Sequence, residues 1–122
     1  MSKITKFIVG RLKGCGYAFT GAMLLLKTEP SIQVQAGIAV VMTFLGFYFN
    51  ITSTEWMLQI FAIGLVMSIE GLNTTIEAVA DFIHPDFHNK IGFIKDVAAG
   101  AVFIAAVTAV IIGLIIYIPY IF

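Results

Sequence analysis

Residues 55–83 read EWMLQIFAIGLVMSIEGLNTTIEAVADFI, and this stretch decides what kind of protein the chain is. It is long and apolar enough to cross a bilayer, yet its second half carries Glu70, Glu77 and Asp81. Glu70, Asn73, Glu77 and Asp81 stand at i, i+3, i+7 and i+11. At about 100° per residue that spacing puts all four on one face of a helix. A carboxylate at mid-membrane costs roughly 2.5–3.5 kcal/mol on the insertion scale. An apolar residue returns only about 0.3–0.6 kcal/mol. Three acids turned toward acyl chains would cancel most of what the rest of the helix gains, so their face must look onto protein, water or a bound cation. As a helix, Trp56 to Ile83 spans about 42 Å against about 30 Å of hydrocarbon. With Trp56 marking one interface, Glu70 lies deep toward the other, and Glu77 and Asp81 reach its headgroup layer.

The rest of the chain agrees with lipid as the main solvent. The 122 residues are 60% hydrophobic and 11% charged, where a soluble domain typically carries about 25% charged residues. We read residues 1–122 as a single all-α membrane domain. Spans are expected at 30–52, 55–83 and 92–120, after an N-terminal amphipathic surface helix at 1–27. In that first segment Ile4, Phe7, Ile8, Leu12, Cys15 and Phe19 follow helical spacing, while Lys6, Lys13 and Thr20 fall on another side. Such a helix suits the headgroup region. Its uncharged run, 14–26, is shorter than the ~20 residues a span needs. Spread lysines and the lack of a small-residue cleavage site predict no cleaved leader. Ser53 or Thr54 is expected to cap the second span. His84-Pro85-Asp86 is expected to end it, because proline removes a donor and disfavours helix before it.

All seven Lys and Arg lie in 1–27 or 90–95. The positive-inside rule then puts the N-terminus and the 84–96 loop in the cytoplasm and the C-terminus outside. A net charge of zero gives no general attraction to nucleic acid, and none is expected as a partner. The lone Cys15 allows no intrachain disulfide.

Other residues at the inner interface add to the acidic face. Glu29 opens the first span just before Pro30, at the level of Glu77. Two carboxylates there can share Mg²⁺, which prefers oxygen ligands and often takes only one or two protein carboxylates plus phosphate oxygens. Read alone, Glu29 is better accounted for as a helix-start acid favoured by the dipole. The 84–96 loop supplies His88, Lys90, Lys95 and Asp96, and its lysines can hold phosphates. Neither the GxxxxGK[ST] loop nor a kinase-type glycine-rich loop is present. Two readings of another class compete with an enzyme. In a small channel the acids would line a water path; in a structural membrane subunit they would only pair across a contact.

The segment EGLNTTIEAVAD at 70–81 resembles the E-x-x-N-[ST]-x-[IV]-E-x-x-x-D signature of the prokaryotic diacylglycerol kinase family, which also contains the undecaprenol kinases. KDVAAGAV at 95–102, GYAFTG at 16–21, HPDFH at 84–88 and the position of Glu29 are similar to that family as well. The resemblance covers almost the whole chain. It implies a homotrimer in a bacterial inner membrane, with active sites between subunits and open to the lipid. It implies ATP-dependent phosphorylation of a lipid hydroxyl, with diacylglycerol as the first candidate substrate and undecaprenol as the alternative. By resemblance Glu70 is the general base, and Asn73 supports the Mg²⁺ site. Glu29 and Glu77 hold Mg²⁺, and Arg11, Tyr17, Asp86, His88, Lys95 and Asp96 contact ATP. The chain departs from the family at Gln33, in EPSIQVQ at 29–35, where Arg or Lys is usual. Ala99 stands where some members have serine. Both departures bear on which lipid is used.

Overall fold

The computed structural model describes residues 2–122. They form four helices and, among the described residues, no strand: α1 (Lys3–Thr28), α2 (Pro30–Phe49), α3 (Ser53–Ile83) and α4 (Asn89–Ile121). The last three are long and apolar enough to cross a membrane, with mean hydropathies of 1.6, 1.4 and 2.8. α2 at 20 residues matches the ~30 Å hydrocarbon thickness, and α3 and α4 exceed it. Large apolar side chains such as Phe44, Phe61, Phe103 and Ile115 point outward. An all-helical chain of this kind satisfies its backbone internally and leaves its apolar side chains to the lipid.

Local chemistry sets each boundary. Ser2 caps α1 by accepting the Thr5 N–H at 3.1 Å. Glu29 alone separates α1 from α2, with Pro30 at the first position of α2, where the missing N–H is harmless. α2 ends at Asn50, which adopts the left-handed conformation (φ 53°, ψ 54°) that asparagine tolerates better than most residues. The Ile51 N–H then reaches back to the Gly46 carbonyl at 3.1 Å. The cap of α3 is Thr52, not the expected Ser53 or Thr54. Thr52 Oγ1 accepts the Glu55 N–H at 3.2 Å, and Glu55 Oε1 accepts the Thr52 N–H at 2.9 Å. Only Thr52 has a glutamate three residues on, so only Thr52 completes this reciprocal pair. α3 stops at Ile83, as His84-Pro85 dictates. α4 begins at Asn89, ahead of the expected 92, because His88 Nδ1 accepts the Lys90 N–H at 3.0 Å and starts the helix before its apolar run.

α3 and α4 share the most extensive contact, and α2 lies against α3. α1 has no buried residue. The tightest packing sits beside the α2–α3 turn, where Ile51, Ile116 and Tyr117 are buried among Met42, Leu45, Phe49, Trp56 and Ile112. A polar clamp runs through this end. The Tyr117 hydroxyl donates to Gln59 Oε1 at 2.5 Å, Gln59 Nε2 donates to the Met42 carbonyl at 3.1 Å, and the Tyr120 hydroxyl donates to Glu55 Oε1 at 2.5 Å. Three helices are thereby tied together by bonds that no water is needed to complete.

Gly46 lets α2 approach α3 here. A Cβ at position 46 would lie 2.6 Å from Trp56 Cη2 and 2.7 Å from Cζ2. Overpacking of this kind typically costs about 1–3 kcal/mol. Gly46→Ala is therefore expected to lower the thermal unfolding temperature in detergent, and Gly46→Leu to lower it further. An unchanged melting curve for both would mean that the two helices are not in contact at this point.

Candidate active site at the loop end of the helices

The acidic face of α3 is graded in exposure. Glu70 is buried, at 8% exposure, while Asn73 is half-buried and Glu77 and Asp81 are exposed. Glu70 makes no hydrogen bond or ion pair among the described residues. Gly71 beside it has no side chain, and the end of α1 closes over that gap: a Cβ at 71 would stand 3.0 Å from Leu25 Cδ1. A carboxylate held in this way is shielded from acyl chains on one side and keeps its oxygens free.

One turn on, Asn73 Nδ2 donates to Glu77 Oε1 at 3.2 Å. This is the i, i+4 contact that the spacing predicts. Among the described residues, the amide oxygen of Asn73 is buried and without a partner, as is Oε1 of Gln35 on α2. Buried polar atoms are nearly always paired in folded proteins, so orphans mark places where another group belongs. The donor set available at the Asn73–Glu77 pair is made of oxygens: the Glu77 carboxylate and Asn73 Oδ1. It suits Mg²⁺ rather than a softer metal. No group of three His, Cys, Asp or Glu converges among the described residues. The set fits an ion that keeps most of its shell for phosphate and water.

Further along, Lys95 Nζ on α4 donates to Asp81 Oδ1 at 2.6 Å, joining the ends of α3 and α4. Both side chains are well exposed, at 38% and 58%, and exposed ion pairs of this sort contribute only about 0.2–1 kcal/mol. Lys95 is thus lightly held and can turn to an incoming anion. Beside this pair lies a cavity of about 300 Å³ lined by Asp81, His84, Pro85, Asp86, Phe87, Lys95 and Asp96, among others. His84 Nδ1 donates to the Asp86 carbonyl at 2.7 Å, and the His84 and His88 rings meet edge to face at 5.4 Å. These contacts shape the loop from within.

The expected site residues therefore fall into two sets. Glu70, Asn73 and Glu77 form one continuous stripe, and Asp86, Lys95 and Asp96 line one cavity at its end. His88 serves as the cap of α4. Glu29 sits at the α1–α2 elbow with its carboxylate making no capping bond. Arg11 and Tyr17 are exposed on α1, where the Arg11 guanidinium lies 5.4 Å from the centre of the Phe7 ring. No hydrogen bond or ion pair among the described residues links either to the acids. Reading the sequence missed Gln59, and it singled out Gln33 only as a departure from the family, not for its bonds. Gln59 stands eleven residues before Glu70, on the same helix face by the periodicity that found the acids. The signal was available. Gln33 bonds backward across a bend, and no periodicity carries that.

Acids gathered on one face, beside oxygens of the kind Mg²⁺ favours, in a helix of membrane length: the class these define is an integral membrane protein with a polar site. Comparison with known proteins narrows it. Residues 16–117 match the family described as prokaryotic diacylglycerol kinase. Undecaprenol kinase of Bacillus subtilis (strain 168) is 38% identical over 103 residues, covering 84% of each chain. Diacylglycerol kinase of Escherichia coli (strain K12) is 34% identical over 101 residues, 82% of each. Diacylglycerol kinase of Haemophilus influenzae is 33% identical over 89 residues, 73% of this chain and 75% of the relative. The chain belongs to the prokaryotic diacylglycerol kinase family, and it is a lipid kinase of that type.

Proposed function

We propose that this protein moves the terminal phosphate of ATP to the hydroxyl of diacylglycerol, forming phosphatidic acid. The observation that carries the reading is the buried, unpartnered carboxylate of Glu70, one turn from the Asn73–Glu77 pair. In this reading Glu70 takes the proton of the lipid hydroxyl. The hydroxyl oxygen bonds to the terminal phosphorus as the bond from that phosphorus to the bridging oxygen breaks, leaving ADP. Bound Mg²⁺ would supply positive charge on the phosphate oxygens, with Glu29 and Glu77 as its protein ligands. Asn73 orients Glu77 through the 3.2 Å hydrogen bond. Lys95 exchanges Asp81 for a phosphate oxygen, and Asp86, His88 and Asp96 bind the nucleotide from the loop. Such a transfer needs chiefly positioning and charge neutralisation, which these groups are suited to give.

Arg11 and Tyr17 lie on an exposed helix away from the acids of their own chain. This supports a homotrimer in which one subunit's α1 completes the site beside another's α3. The placement of Lys and Arg supports a site that faces the cytoplasm, where ATP is found.

A second reading, undecaprenol as the lipid, is favoured by the 38% identity to the Bacillus subtilis protein. Purified protein incubated with labelled ATP, Mg²⁺ and each lipid in parallel separates the two. Label in phosphatidic acid is the expected result. Label in undecaprenyl phosphate alone would assign the second reading, and label in neither lipid would overturn both.

A further inference from the structure

The bend between α1 and α2 contains a single non-helical residue, Glu29, at φ −99° and ψ 111°. Its backbone is gripped from both sides. The Glu29 N–H donates to the Leu25 carbonyl at 3.0 Å, and the Glu29 carbonyl accepts the Gln33 N–H at 3.0 Å. Gln33 then acts a second time. Its side-chain Nε2 donates to the carbonyls of Leu26 and Lys27, each at 3.1 Å. Those are two of the carbonyls left without intrahelical partners where α1 ends. One residue thus holds the last turn of α1 with its amide group and the peptide of Glu29 with its backbone. The Glu29 carboxylate itself caps nothing.

The geometry points to Gln33 as a positioning residue that sets the angle of the α1–α2 elbow and so delivers the Glu29 carboxylate to the phosphate site. This rests on the metal role proposed for Glu29. It also gives the departure at position 33 a physical meaning. The side chain faces the protein's own backbone, so its hydrogen-bond donors matter more than its charge.

Three substitutions separate the parts of this claim. Gln33→Met keeps the length and loses both donors, Gln33→Glu aims an acceptor at two acceptors, and Gln33→Arg restores donors. Two readouts are taken on the full-length protein. The first is the spin-label distance across the elbow, between the exposed native Cys15 and a cysteine placed at the exposed Val40. The second is the Mg²⁺ concentration for half-maximal phosphate transfer, with kcat at saturating Mg²⁺ measured separately.

Gln33→Met and Gln33→Glu are expected to broaden or shift the distance distribution. They are expected to raise the half-saturating Mg²⁺ about five- to tenfold, the lower end of what two lost hydrogen bonds amount to, with kcat changed less than about twofold. Gln33→Arg is expected to restore both readouts. An unmoved distance in Gln33→Met overturns the proposal, as does a moved distance that Gln33→Arg leaves uncorrected. A moved and rescued distance with unchanged Mg²⁺ dependence overturns the delivery of Glu29. Glu29→Gln then locates the fault. If that variant raises the Mg²⁺ requirement, only the proposal for Gln33 fails; if it does not, the metal role of Glu29 fails with it.

Discussion

Glu70→Gln is expected to reduce phosphate transfer by at least about 100-fold, while the protein still inserts, assembles and binds nucleotide. The size follows from the proposed role. A positioned general base typically contributes about 10²–10⁴-fold, and a glutamine of the same shape cannot take a proton. Folding should survive because Glu70 has no hydrogen-bond or ion-pair partner among the described residues, so nothing is left stranded by the change. Burial of a carboxylate is itself unfavourable. The variant is therefore expected to melt at or above the wild-type temperature. Activity and stability moving in opposite directions would mark Glu70 as a group kept for chemistry. Wild-type turnover by Glu70→Gln would end its assignment as the base.

Glu77→Gln is expected to act on the metal instead. The substitution keeps an oxygen that can accept from Asn73 and removes only the negative charge. Losing an outer partner of a metal ligand already costs about 10–100-fold in affinity. Losing the charge of a ligand is expected to reach the upper part of that range, read as a rise in half-saturating Mg²⁺. Turnover at saturating Mg²⁺ should recover far more than in Glu70→Gln, because the proposed base is unchanged. Titrations of Mg²⁺ against both variants separate the two carboxylates: one loses rate at every concentration, the other loses it mainly when Mg²⁺ is scarce. An Mg²⁺ response identical to wild type in Glu77→Gln would remove that residue from the metal site.

The three spans were readable because hydropathy is additive along the chain and lipid tolerates few charges. The acidic stripe was readable because 3.6-residue periodicity survives inside a helix whatever surrounds it. Failures came where a single contact decides. Thr52, Ser53 and Thr54 are all plausible caps by residue type, and only the reciprocal bond with Glu55 chooses among them. The start of α4 was placed late because residues 89–96 are partly charged, and a histidine ring rather than a hydroxyl begins the helix. Arg11 and Tyr17 could be matched to a function, but in the proposed trimer the subunit they would serve depends on how copies are arranged. That arrangement is not encoded in the periodicity of one chain. The bonding role of Gln33 lay furthest from view. Its bonds reach back six and seven residues over a bend, and their existence depends on the angle of the bend itself.

The clamp of Gln59, Tyr117 and the Met42 carbonyl makes the bundle resemble a pair of tongs riveted at one tip. A rotation of α3 against α4 about that rivet moves a residue in proportion to its distance along the helix. Glu70 lies about 16 Å from Gln59, and Asp81 about 33 Å. The same small swing therefore opens the far tips twice as wide as it disturbs the base. In the proposed mechanism that swing parts Asp81 from Lys95, which bond at 2.6 Å, and displaces Glu70 half as far.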